Sequence, residues 1–214
     1  MVEDGDGLII EHVLAGPIQT NIYLVGCAET GQGAVIDGGG APEELLERAE
    51  DRGLTIEKIL QTHAHVDHVG GLNALKEATD APIYLHRDDL EMYRAAPQQG
   101  RMFGIAIDPL PDVDEFLEDG DTVEVGNFEA QVLHLPGHSP GGIGFYFEDQ
   151  GVVFGGDVLF AGSIGRVDLP GSDRDAMGKS LERLKKLPDD TRVLSGHGPE
   201  TTIGQEKKRN PFLT

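Results

Sequence analysis

The chain is poor in cysteine, poor in basic residues and free of long apolar runs, and each shortage excludes something. Cys27 is the single cysteine of 214 residues, so no intrachain disulfide can form. It lies far from the histidine-rich segments and reads as a buried strand residue with no chemical part. No stretch approaches the ~20 consecutive apolar residues that a bilayer span requires. The opening Met1-Val2-Glu3-Asp4-Gly5-Asp6-Gly7 is acidic where a secretory leader would be basic and then apolar, so the expected location is cytoplasmic. Lysine and arginine number 17 against 38 aspartates and glutamates, a net charge of −21. Such a field repels phosphate backbones and anionic lipids, so neither nucleic acid nor a membrane is an expected partner. The acids are scattered along the chain, as on a solvated acidic surface. That balance also fits a protein working at high ionic strength, where salt screens the self-repulsion.

With 38% hydrophobic residues the chain can bury one sizeable core, and one domain over residues 1–214 is expected. Short β-type runs open it, at Leu8-Ile9-Ile10, Asn21 to Val25 and Gly33 to Asp37, separated by Gly- and Pro-bearing turns as in an antiparallel meander. Pro42 begins a helical pattern through Arg52, and Ile56 to Leu60 reads as the next strand. A helix over Val69 to Thr79 and a strand at Ile83-Tyr84-Leu85 follow. Residues 94–114 lack clear periodicity and are expected to form a long loop bordering a site. Strands are then expected near Thr122-Val125, Phe128-Leu135, Gly142-Phe147, Gly151-Phe154 and Arg192-Leu194, with a helix from about Asp173 to Leu187. Two such halves, packed sheet against sheet with helices outside, make a four-layer α/β sandwich with strand-end loops along one rim.

The histidines are the informative residues. His63, His65, Asp67 and His68 fall within six positions, where a hydrophobic strand ends. Imidazole nitrogen and carboxylate oxygen are the donors that borderline divalent cations such as zinc prefer. His63 and His65, two apart in extended chain, can point to one side, and the turn into a helix lets Asp67 and His68 address a neighbouring point. Further donors stand at strand ends beside glycines, where the backbone can come close to a metal: His138, Asp157 and His197. Asp157 is the natural bridge, so metal 1 would take His63, His65, His138 and Asp157, and metal 2 would take Asp67, His68, Asp157 and His197. His12, His86 and His134 have no companion donors and are assigned to packing and hydrogen bonding. Of the three, His134 is the best candidate to support a ligand from behind.

Thr62-His63-Ala64-His65-Val66-Asp67-His68, Pro136-Gly137-His138-Ser139-Pro140-Gly141, Gly156-Asp157 and Gly196-His197, in that order, resemble the metallo-β-lactamase superfamily. The resemblance covers nearly the whole chain and implies an αββα sandwich. It also implies two divalent cations on the seven named donors, zinc first and iron or manganese as alternatives. Gly155 to Phe160 and Gly162 to Asp168 look most like the glyoxalase II group, the hydroxyacylglutathione hydrolases. That likeness implies a thioester substrate built on a small thiol, with Asp67 and Asp157 in the catalytic centre. It also places Arg166 where a basic residue contacts a carboxylate of the thiol carrier, against the plainer reading of a salt bridge with Asp168 or Asp173. Only 17 residues follow His197, so the helical C-terminal domain of the longer members is not expected. Two other functions fit the pattern: a mononuclear iron persulfide dioxygenase, and a non-catalytic metal- or partner-binding module.

Overall fold

A computed structural model describes residues 2–3 and 7–213. The first sheet runs in chain order through β1 (Val2–Glu3), β2 (Leu8–Ala15), β3 (Thr20–Cys27), β4 (Gln32–Ile36), β5 (Thr55–Leu60), β6 (Ile83–His86) and β7 (Glu115–Leu117). Its first four strands pair antiparallel and β4 to β7 pair parallel. The second sheet is built from β8 (Thr122–Val125), β9 (Phe128–His134), β10 (Ile143–Phe147), β11 (Val152–Gly156), β14 (Arg192–Ser195) and β15 (Thr201–Thr202). A separate two-stranded hairpin, β12 (Leu159–Phe160) and β13 (Ser163–Ile164), follows β11.

Alternation along the strands explains the layering. On β3, Ile22 and Leu24 face one way and Tyr23 and Val25 the other, yet all are buried. The first pair packs with Leu45 and Ala49 of α1 (Pro42–Asp51) and with Leu72 and Leu75 of α3 (Leu72–Thr79). The second pair meets Val132, Phe145, Phe147 and Phe154 of the other sheet. The outer face of that sheet, with Leu133, Tyr146 and Val153, is covered by Met177, Leu181 and Leu184 of α5 (Arg174–Leu184) and Ile203 of α6 (Ile203–Arg209). Helix, sheet, sheet and helix therefore give the expected four-layer αββα sandwich, held by three apolar interfaces. Cys27 is buried at the end of β3.

Two sequence expectations need correction. The stretch Val69 to Thr79 is two helices, α2 (Val66–Val69) and α3, because the Gly71 amide is drawn off the helix to the Gly38 carbonyl at 2.7 Å. Residues 94–114 are not one long loop, since Leu90–Phe103 forms a helix, α4, with Pro97 inside it. Pro97 and Gly100 mask the period in sequence, but Tyr93 and Ala96 bury against the first core and hold the turns together. Among the described residues no helix is long and apolar enough to cross a membrane.

Candidate metal centre

All seven donors named from the sequence converge at one rim of the sandwich. The parallel strand β5 delivers His63 and His65 in the segment just past its end, and α2 carries Asp67 and His68. His138 lies in the turn after β9, Asp157 directly follows β11, and His197 lies two residues past β14. His63, His65 and His138 form one group whose ligand atoms lie within 4.8 Å of one another, and Asp67, His68 and His197 form a second. Asp157 stands between them. Its Oδ2 is 3.4 Å from His138 Nε2 and 3.4 Å from His197 Nε2, while its Oδ1 is 3.5 Å from His68 Nε2. Two ligands on one tetrahedral zinc, each at about 2.05 Å, lie about 3.4 Å apart.

The chain's own hydrogen bonding shows that these residues suit a cation. Nε2 of His63, His65, His68 and His138 and Oδ1 of Asp157 are buried and have no hydrogen-bond partner. A buried polar atom left unpaired costs about 1–3 kcal/mol, so five facing one another call for a shared electrophile. The opposite ring nitrogens of His63, His68 and His138 are occupied, which aims their free ones inward. His68 Nδ1 donates to Asp37 Oδ2 at 2.8 Å, His63 Nδ1 to Thr62 Oγ1 at 3.1 Å, and His138 Nδ1 to the Arg166 carbonyl at 2.9 Å. Gly196 is required for this convergence, because a Cβ there would sit 2.2 Å from Asp157 Oδ1 and 2.6 Å from His68 Cε1.

The two groups differ electrically. Burial, reinforced by His138 and His68, pushes His65 down to about 4, and burial holds His63 well below its ordinary value. Burial also works against a charge on His68, but the carboxylates of Asp67, Asp37 and Asp157 outweigh it and hold the ring well above its ordinary value. His197 is likewise opposed by burial, yet bonds to Asp157 and Asp67 bring it up to about 9. Burial disfavours charge on Asp67 and Asp157, and the surrounding histidines reverse that and keep both carboxyls below the usual range.

Sequence reasoning passed over the residues that hold this centre from behind. Asp37 follows β4 in a left-handed conformation (φ 61°) and accepts from Thr62 N, Thr62 Oγ1 and His68 Nδ1. It ends an apolar strand beside three glycines, the same signal that pointed to Asp157, so it was findable. Asp89 is fully buried and joins two loops, its Oδ2 accepting from Ala64 N at 3.0 Å and its Oδ1 from Gly141 N. Gln99 of α4 accepts from Val66 N at 2.7 Å, which satisfies the start of α2. Neither had a signal in the sequence.

The remaining expectations fall into place around this core. Arg166 is 62% exposed and forms a two-bond ion pair with Asp168 at 2.8 and 3.0 Å, so its carbonyl, not its guanidinium, touches the centre. His134 stacks flat on His86, with centroids 4.3 Å apart and planes 9° apart, and its Nε2 donates to Pro140 O in the loop of His138. Asp88 lies close to both rings, but stacked rings share no in-plane point where one cation could meet both. His12 donates to Asn21 Oδ1.

Fold and donor set together define a divalent-metal-binding protein. Residues 15–197 match the metallo-beta-lactamase superfamily, and the chain belongs to that superfamily. Hydroxyacylglutathione hydrolase GloC of Haemophilus influenzae is 40% identical over 213 residues, 95% of this chain and 97% of its own. Among solved structures, TTHA1623 in a di-iron-bound form is 49% identical with a TM-score of 0.88, covering 95% of this chain and all of that one. BLEG-1 B3 metallo-beta-lactamase is 39% identical with a TM-score of 0.89, covering 96% and 100%.

Proposed function

We propose that this chain is a two-cation thioesterase that cleaves S-2-hydroxyacyl esters of a low-molecular-weight thiol. The observation that carries the reading is the set of unpartnered, inward-facing ligand atoms straddled by Asp157. His63, His65 and His138 would hold one cation, Asp67, His68 and His197 the other, and Asp157 both. Two divalent cations in such a centre bring a water's pKa toward ~7 and polarise a carbonyl oxygen as Lewis acids. The chain's own groups do the rest. Asp67 and Asp157 stay ionised among the histidines and accept hydrogen bonds from the attacking water, while Asp37, Thr62 and the Arg166 carbonyl fix the imidazole tautomers. A thiolate departs without needing a strong general acid, which favours a thioester over an amide. The name of the Haemophilus influenzae relative supports this substrate class. The acidic surface, at −21, supports a small-molecule substrate over nucleic acid or membrane and a cytoplasmic setting. Zinc is the proposed metal, and the di-iron form of TTHA1623 makes iron the first alternative, ahead of manganese.

The test is metal content of the purified protein together with hydrolysis of S-lactoyl thioesters, in wild type, His63→Ala and Asp157→Ala. Near two metals per chain in wild type, with thioester turnover lost in both variants, is expected. One iron per chain with thiol-dependent oxygen uptake and no thioester turnover would overturn the assignment in favour of a persulfide dioxygenase.

A further inference from the structure

We propose that Thr20 and Asn21, adjacent on β3, are positioning residues for the second donor group alone. This rests on the two-cation reading above. Both side chains are buried, Thr20 completely and Asn21 to within 2%, at the rim end of the first sheet. Thr20 Oγ1 donates to Asp67 Oδ2 at 2.9 Å, the same oxygen that faces His68 Nε2 at 3.3 Å and His197 Nε2 at 3.2 Å. Asn21 reaches across to the opposite sheet. Its Nδ2 donates to the carbonyls of Ser195 at 2.8 Å and Gly198 at 2.9 Å, which bracket Gly196-His197, and its backbone N–H donates to Gly196 O at 2.7 Å. Tyr23 OH adds a bond to Ser195 O at 2.8 Å, and His12 donates to Asn21 Oδ1 at 2.7 Å, fixing the amide with its hydrogens toward the loop.

Both hydrogens and the oxygen of the Asn21 amide are thus used, and each bond to the loop serves the placement of His197. The loop is also tied by Ser195 Oγ donating to His197 O at 2.8 Å and Gly196 N donating to Gly156 O at 2.9 Å, and it turns through Gly198 at φ 77°. The bonds that seat the first group come from elsewhere, through Asp89 to Ala64 and Gly141 and through the Arg166 carbonyl to His138. Asp37 backs both groups, through His68 and through Thr62 to His63, whereas Thr20 and Asn21 bond only to residues of the second group and its loop. A cation bound at the second group depends on the docking of β3 against the β14 loop, whereas one at the first group does not. Outer partners of ligands typically carry about 10- to 100-fold in metal affinity.

The experiment measures zinc per chain by elemental analysis, and both zinc affinities by competition with a chromophoric chelator. It compares wild type, Thr20→Val, Thr20→Ser, Asn21→Leu and, as the reference for loss of the second zinc, His197→Ala. Thr20→Val and Asn21→Leu should keep one affinity at its wild-type value and weaken by about 10- to 100-fold the one lost in His197→Ala. Thr20→Ser, which retains the hydroxyl, should match wild type. Equal weakening of both affinities, or no weakening in Thr20→Val, would overturn the proposal. Should Asn21→Leu fail to fold, Thr20→Val still decides, since it exchanges only a hydroxyl for a methyl. Wild type binding fewer than two zinc ions would sink the underlying two-cation reading instead, independently of the variants.

Discussion

The interface between the two sheets and the rim one or two residues beyond its strand ends are buried alike and built on opposite terms. Phe145, Phe147, Phe154 and Val132 are fully buried among apolar neighbours and need nothing further. His63 and His68, at 2% and 0% exposure, lie as deep, yet each leaves a ring nitrogen without a partner. The contrast teaches that burial by itself says nothing about contribution to folding. The dry interface supplies stability, and the rim gives some of it up in order to present lone pairs to a cation.

Variants in the two regions should separate stability from metal binding. The largest effect is expected from Phe147→Ala, which should lower the unfolding free energy by about 3–5 kcal/mol in denaturant titrations. Its metal content under folding conditions should stay at the wild-type value, and a loss of metal would break the comparison. Asp37→Asn should do the reverse, weakening metal affinity by about 10- to 100-fold by chelator competition while destabilising the metal-free protein less than Phe147→Ala does.

A smaller effect is expected where charge supports the fold away from the rim. Glu11 is nearly buried and accepts from Arg52 at 2.7 Å and Arg48 at 3.0 Å. Burial raises its carboxyl, but the two guanidiniums outweigh that and hold it below the ordinary value. The group is more acidic folded than unfolded, so its contribution is complete above the unfolded value near 4.5 and disappears as pH falls through the lowered folded value. Glu11→Gln should therefore cost about 1.5–3 kcal/mol at pH 7 and nothing once the wild-type carboxyl is protonated, measured as unfolding midpoints across pH. A cost that persists in acid would mean shape, not charge, matters there. The mildest change is expected from salt. Raising it from dilute to molar should lift the thermal midpoint of the wild type by screening the net charge of −21, and a salt-independent midpoint would remove the high-salt reading.

Legibility followed the range of the interaction. The strands β3, β5, β10 and β11 carry their period and apolar character locally, and the seven donors are concentrated or flanked by glycine, so both could be read in one dimension. α4 could not, because Pro97 and Gly100 argue locally for a loop and only burial of Tyr93 and Ala96 in the first core overrides them. Arg166 was readable as a cation near the centre, but whether it faced a substrate or Asp168 depended on two side-chain rotamers two residues apart.

The sequence by itself determined the donor set, because metal-ligand types cannot be hidden by folding and their order along the chain assigns them to strand ends. The tertiary structure alone decided which groups stand behind them. Asp89 lies 25 residues from Ala64 and 52 from Gly141, and Asn21 lies 174 from Ser195. Such bonds are made by ordinary polar residues whose partners are carbonyls and amides of the backbone. Those groups are the same at almost every position, so no pattern of side chains announces where they will be met.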